Sequence, residues 1–399
     1  MKSYFNFFLL ALLINLMGIA HAQTNEQMVK KFLERFPQAD ADGDGKLSST
    51  EQDAINKRVL KRYPKADTNG DGKLSAQERQ AFFRKAMARK KNKPNPENSK
   101  SRSGKPTPDH ANVKYGPHER NVFDLWLAKS DQPTPLAIYI HGGGFKSGSK
   151  EKLKQQSLTD LLAKGISVAS ISYRLLPEVT LPTPHHDARR ALQFIRHKSG
   201  DWNIDKKRVG VFGGSAGAQI SMWIAYSDEM ANPDSEDPVE RESTRVTCVA
   251  TAGGQTTMDY DIWAKQMRAI LGKKYSLEKV LGQGKSQKAK GTDQLLLWGA
   301  KTPEELKAKI KKHSALSIIS KDDPPIFMSY GMAPNAEPPS ETGKLRGWLI
   351  HHSFFGIELK KKADSLNVEN HLRYRGAKCD YASTAEFFKD KLASASKPK

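Results

Sequence analysis

The sequence predicts an α/β protein with a mostly parallel sheet, preceded by a small all-α module. Three observations carry this. Arg208-Val209-Gly210-Val211-Phe212 reads as a buried strand, runs into Gly213-Gly214-Ser215-Ala216-Gly217, and continues into Ala218–Ile224, which reads as a helix. Upstream, the strand-like Leu136–Ile140 ends directly in His141-Gly142-Gly143-Gly144-Phe145. Near the N-terminus, Arg35-Phe36-Pro37-Gln38-Ala39-Asp40 recurs 27 residues later as Arg62-Tyr63-Pro64-Lys65-Ala66-Asp67.

Taken in order, residues 1–22 read as a signal peptide. Lys2 gives a positive start, Tyr4 to Ala20 is almost entirely apolar, and Ala20-His21-Ala22 fits a small-x-small cleavage site. The mature chain then starts at Gln23 and is secreted or periplasmic; an uncleaved membrane anchor is the alternative. No later stretch is long and apolar enough to span a bilayer.

Residues 23–90 form the repeated module. Each copy leads into a loop of alternating oxygen-bearing residues. The first offers Asp40, Asp42, Asp44, the backbone of Lys46, Ser48 and Glu51; the second offers Asp67, Asn69, Asp71, the backbone of Lys73, Ser75 and Glu78. This is the spacing of an EF-hand, with Gly45 and Gly72 at the sharp turn. A hard cation wants six or more oxygens, and short carboxylates on a tight loop supply them. Two loops in register predict two calcium sites. One helix, about Thr50 to Arg62, must serve both loops, flanked by helices at about Glu26–Phe36 and Ala76–Lys90. A shared middle helix leaves little room for an opening motion, which favours structural calcium over signalling.

Residues 91–111 carry proline, serine and charge and read as a flexible basic linker. The second domain occupies 112–399. Its expected strands are 121–127, 136–140, 166–171, 208–212, 245–250, 326–330 and 368–374. Its expected helices are 151–164, 184–198, 216–226, 353–365 and 383–393. Residues 256–313 read as an irregular basic insertion. Strand, helix, strand, helix in this order is a parallel sheet.

Strand, G-x-S-x-G, helix is the context of a nucleophile elbow, in which a turn too tight for a Cβ lifts the serine hydroxyl above the sheet. The glycine run at 142–144 leaves backbone N–H groups open to hold an oxyanion. With these two motifs, and with Tyr173-Arg174-Leu175, Pro177-Glu178 and Asp187 between them, residues 112–395 resemble the α/β-hydrolase family. The chain looks most like carboxylesterases related to hormone-sensitive lipase and to bacterial feruloyl and acetyl-xylan esterases. The resemblance implies Ser215 as nucleophile, Gly143, Gly144 and Ala216 as oxyanion donors, and carboxylic esters, including carbohydrate-linked acyl groups, as substrates.

The base and acid depart from the family's order, which places an acid after the seventh strand and a histidine after the eighth. After strand 326–330 the chain reads Gly331-Met332-Ala333-Pro334, and the nearest carboxylate is Glu337. After strand 368–374 it reads Gly376-Ala377-Lys378-Cys379-Asp380, without histidine. His371, within that strand, reads as packing. The remaining candidates are His352 and His351, just before helix 353–365, with Asp380 as the orienting acid; His185 and His186 are a further pair. A competing reading is a calcium-dependent binding protein on a degenerate hydrolase scaffold.

The formal charge of +21 is uneven. Nine Lys/Arg face one acid from Arg84 to Lys105, and thirteen face four from Lys265 to Lys312. No interleaved aromatics or recognition motif points to nucleic acid. Weak contact with anionic polysaccharide or envelope is open to these segments, as is a merely solvated surface. Cys248 and Cys379 are the only cysteines, and either a disulfide or a buried thiol at Cys248 fits.

Overall fold

A computed structural model describes residue 33, 39–46, 48–62, 66–68, 70–75, 78, 104–272, 280 and 294–393. The predicted signal peptide, the expected outer helices of the repeat module, most of the expected linker and the centre of the basic insertion lie outside them. The chain divides into two compact units, 1–100 and 101–399.

In the first unit the helix shared by the two loops runs Ser49–Arg62 (α1). Leu33, Ala39, Ala66 and Leu74 are buried, as are the closing glutamates Glu51 and Glu78.

The second unit is built on one eight-stranded sheet: β1 His110–Lys114, β2 Val122–Trp126, β3 Thr134–Ile140, β4 Ser167–Ile171, β5 Ile204–Gly214, β6 Cys248–Ala252, β7 Ile326–Ser329 and β8 Asn370–Arg373. The order across the sheet is β1-β2-β4-β3-β5-β6-β7-β8. The first two strands pair antiparallel and the remaining six are parallel. Parallel sheets need cover on both faces, which is why the strands read as near-continuous apolar runs. The pleat divides them. Val209, Val211, Val249, Ile326 and Met328 enter one core, while Phe212, Cys248, Ala250 and Phe327 enter the other.

The first core is covered by helices α3 Thr183–His197 and α4 Ala216–Tyr226, and by Leu359 and Ala363 of α10 Phe354–Ser365. The second is covered by α2 Gln155–Leu162 and α11 Thr384–Ala393. Cys248 and Cys379 both lie at this second core and both are free thiols.

Three parts of the chain depart from the sequence reading. Strand β1 was not expected. The insertion holds helices α5 Tyr260–Leu271, α6 Gln294–Trp298 and α7 Pro303–Lys312, where an irregular segment was expected. Their caps are ordinary: the Asp259 carboxylate accepts from Asp261 N–H at 2.9 Å, and Thr302 Oγ1 accepts from Glu305 N–H at 3.2 Å. After a single turn of helix, Ala315–Ile318 (α8), and strand β7, a further helix, Thr342–Ile350 (α9), precedes His351. Its Leu345 and Leu349 are buried, and this packing outweighs the poor helix propensity of Gly343 and Gly347.

Candidate active site

Strand β5 ends at Gly214 and α4 begins at Ala216, so a single residue turns the chain. Ser215 does so at φ 53° and ψ −120°, a conformation costly for any non-glycine residue. Its N–H is held by Ala252 O at 2.9 Å. The flanking glycines have no freedom to be anything else. A Cβ on Gly213 would lie 2.5 Å from Ile140 O, and one on Gly217 would lie 2.0 Å from the same atom. Close approach to the end of β3 therefore dictates the motif.

His351 Nε2 stands 3.0 Å from Ser215 Oγ. It is the C-cap of α9, and the Gly347 backbone, one turn earlier in that helix, acts on the ring to raise its pKa. For Nε2 to accept the serine proton, Nδ1 must carry the ring's other proton. The ring is half-buried. Desolvation lowers its pKa below 6.5, and the Gly347 bond opposes the shift. Among the described residues no carboxylate pairs with His351. The loop after β6 makes room for the ring: Gly253 has φ +56°, and a Cβ there would meet His351 Cδ2 at 3.3 Å.

Two sequence expectations are corrected by this geometry. His352 does not reach the serine. Successive residues leaving a helix point about 100° apart, and His352 turns inward. It is 1% exposed, stacks on Phe354, meets Trp348 edge-on and accepts the Phe354 N–H at Nδ1. Burial drops its pKa to about 4. Asp380 does not orient the base. It pairs with His371 Nδ1 at 2.9 Å, while His371 Nε2 meets Glu369 at 2.9 Å. Glu337 is exposed.

The glycine loop lies against the elbow. A Cβ on Gly142 would sit 2.5 Å from Gly214 O and 3.4 Å from Ser215 Cβ. Gly143 and Gly144 take φ +128° and +59°, and among the described residues their N–H groups donate to no acceptor. Ala216 opens α4, so its N–H has no acceptor within the helix. His141 braces this loop from behind. It is fully buried, stacks on Tyr173 at 4.1 Å, and its carbonyl accepts the Tyr173 hydroxyl at 2.8 Å. Desolvation lowers its pKa to about 4. Arg174 and Asp187 form a salt bridge at 2.6 Å that ties the end of β4 to α3. Glu178 pairs with His118 at 2.8 Å. His185 is buried with Nε2 2.9 Å from Gln219 Oε1, and His186 packs against Trp223.

The two loops of the first unit have matching geometry. The carboxylates of Asp40, Asp42 and Asp44 offer oxygens within 4.8 Å of one another. Gly45 N–H donates to Asp40 Oδ2 at 2.9 Å, and Gly72 N–H donates to Asp67 Oδ2 at 2.9 Å. Lys46 N–H reaches Asp44 at 2.7 Å, and Lys73 N–H reaches Asp71 at 2.8 Å. Glu51 closes the first loop through the N–H groups of Ala41 and Ser48; Glu78 closes the second through Thr68 and Ser75. The bond from Ala41 leads in lowering the pKa of Glu51, and that from the Ser75 hydroxyl in lowering Glu78 to about 2. Both glutamates are therefore held in the ionised form, as a cation site would require. This donor set, all hard oxygen, fits a calcium-like ion. Asn69 lies outside the described residues.

A family model described as BD-FAE matches residues 123–349. The chain belongs to the BD-FAE family. An EF-hand model matches residues 33–51 and 65–83, which take in both loops. The BD-FAE match contains Ser215 and the glycine loop and stops just short of His351. The chain is 28% identical over 121 residues to Esterase LipQ of Mycobacterium tuberculosis, which is 29% of this chain and 29% of LipQ. It is 28% identical over 137 residues to an Arabidopsis thaliana protein named "Probable isoprenylcysteine alpha-carbonyl methylesterase ICMEL1", 34% of this chain and 28% of that one. The chain thus spans less than a third of either relative. A truncated carbohydrate esterase from gut microbiota superposes with a TM-score of 0.54 at 19% identity, covering 74% of this chain and 99% of that one. That likeness shows the α/β-hydrolase fold.

Proposed function

We propose that this protein is an exported serine esterase that cleaves carboxylic esters with a Ser215–His351 dyad. The contact of His351 Nε2 with Ser215 Oγ at 3.0 Å, on an intact elbow, carries the reading. Ser215 Oγ attacks the ester carbonyl carbon and its proton passes to His351 Nε2. The carbonyl oxygen becomes an oxyanion, held by the N–H groups of Gly143, Gly144 and Ala216. As the C–O bond to the alcohol breaks, His351 returns the proton to the leaving oxygen, and an acyl-Ser215 remains. Water then repeats the cycle, giving up its proton to His351 and releasing the acid.

Among the described residues no carboxylate supports the imidazolium, and the Gly347 backbone raises the pKa of His351 only against the larger effect of burial. The acid-free base is the one feature favouring a non-catalytic scaffold. The elbow strain and unpaired oxyanion donors weigh more heavily against that alternative, since neither helps a binding protein fold.

The substrate class we infer is a small or carbohydrate-linked acyl ester, in line with the names of the relatives and of the structural neighbour. The N-terminal loops are proposed to hold two calcium ions that stiffen their own unit and take no part in the chemistry. Export rests on the first 22 residues. Hydrolysis of p-nitrophenyl acetate by the full chain, lost in Ser215→Ala, tests the central claim. No turnover, together with no covalent labelling of Ser215 by a fluorophosphonate, would refute it.

A further inference from the structure

Among the described residues no carboxylate pairs with His351, so its position must be fixed by other means. His351 follows the last residue of α9, where the chain leaves the helix and its carbonyls lack intrahelical donors. The Ile350 carbonyl is one of these. It is taken by the side-chain amide of Gln255, which donates Nε2–H to Ile350 O and to Gly253 O at 3.3 Å. Gln255 is 6% exposed, so this amide has little access to water.

The same short loop after β6 touches both members of the dyad. Ala252 O accepts the Ser215 N–H at 2.9 Å. Gly253, whose own N–H is held by Ser329 O at 2.8 Å, lies against the His351 ring. Tyr330 Oη holds the next carbonyl, Gly254 O, at 2.7 Å. One end of the loop therefore fixes the nucleophile, its middle limits the imidazole, and Gln255 at its far end grips the peptide just before the base.

Resting on the dyad reading above, we infer that Gln255 is a positioning residue for His351, and that residues 252–255 set the Ser215–His351 distance. Gln255 touches no reacting atom and acts only through the Ile350–His351 peptide. Loss of its donor lets the end of α9 drift, and a shift of about 1 Å in a catalytic group costs about 10²-fold in rate. The loss falls on kcat, because ester binding does not involve this amide.

The test uses the full chain and p-nitrophenyl acetate, with kcat, KM and melting temperature measured for Gln255→Met, Gln255→Glu and His351→Ala. Gln255→Met keeps the length and removes the amide. Gln255→Glu keeps size and polarity and, when ionised, turns the donor into a second acceptor; it carries the test if the methionine variant does not fold. The inference expects kcat to fall about 10²-fold in both, with KM nearly unchanged and melting still cooperative. A near-wild-type kcat in either folded Gln255 variant, with His351→Ala inactive, overturns the role of Gln255 and leaves the dyad standing. A near-wild-type rate in His351→Ala overturns the dyad itself.

Discussion

Asp380 and His371 are partners: Oδ2 of the first lies 2.9 Å from Nδ1 of the second. The loop after β8 therefore spends its acid on the strand that precedes it. Tyr381 meets the His371 ring edge-on, which adds to the local packing. Asp380→Asn should thus leave the esterase kcat within about two-fold of wild type, where removing a triad acid costs on the order of 10⁴-fold. A loss of the larger size would return Asp380 to the catalytic group.

The adjacent histidines should separate cleanly. Ser215→Ala and His351→Ala should each lower kcat by several orders of magnitude, on the order of 10⁴–10⁶, and the double variant should be no worse, since nucleophile and base act as a unit. His352→Ala should instead act on stability. It removes a buried ring packed between Trp348 and Phe354, at a cost of about 2–4 kcal/mol. A thermal melt alongside steady-state kinetics distinguishes the two effects. A stable but inactive His352→Ala would exchange the roles given to the pair.

The elbow and the glycine loop were legible in the sequence because backbone contacts dictate them. Gly213 and Gly217 face Ile140 O across a gap no side chain can enter, so the spacing of the glycines is the geometry. The strands were legible because burial on both faces leaves apolar runs. The base was legible only as a choice of two. Its contact with Ser215 spans 136 residues and depends on α9, a helix hidden by Gly343, Gly347 and the prolines at 334, 338 and 339. The caps of α5 and α7, Asp259 and Thr302-Pro303-Glu304-Glu305, were present in the sequence; the lysine-rich composition around them masked the pattern.

The pH profile should show the missing carboxylate. A general base must be neutral to accept a proton, so activity falls as pH drops through the pKa of His351. Burial lowers that pKa from 6.5, and among the described residues only the Gly347 backbone opposes the shift. Activity should therefore be at its plateau at neutral pH and persist below pH 6.5 before declining. Rates of p-nitrophenyl acetate hydrolysis across pH 4–8, extrapolated to zero buffer, measure the limb. A half-maximal point above about 7, in the range of a carboxylate-supported histidine, would mean that an acid reaches His351 after all.

The two oxyanion glycines should differ in kind. A Cβ on Gly143 would lie 2.0 Å from Ser147 O, a backbone atom that cannot step aside. Gly143 O also accepts the N–H groups of Lys146 and Ser147, so the whole turn depends on this residue. Gly143→Ala should displace the loop and cost about 10²–10³-fold in kcat, the size of one lost oxyanion donor. Gly144 has open space around the added Cβ and suffers only from φ +59°, a strain of about 1–2 kcal/mol. Gly144→Ala should keep most of its activity and melt at a lower temperature.

The calcium loops should titrate independently of the esterase. Each is closed by a glutamate bonded to two backbone N–H groups of its own loop, so each site is complete within its loop. Glu51→Gln keeps the shape but replaces the bidentate carboxylate at the closing position with a neutral amide carrying one acceptor oxygen, and Glu78→Gln does the same for the second loop. Calorimetry on the full chain should show about two sites in the wild type, about one in each single variant and none in the double variant, at the millimolar to micromolar affinities of EF-hand loops. The dyad, the glycine loop and their supports all lie within residues 115–373 of the second unit. Chelator should therefore leave p-nitrophenyl acetate hydrolysis unchanged while removing the calcium-dependent rise in melting temperature of the N-terminal unit. Hydrolysis that collapses on chelation and returns with calcium, in a protein whose hydrolase unit still melts cooperatively, would make the cation a regulator of the active site and overturn its purely structural role.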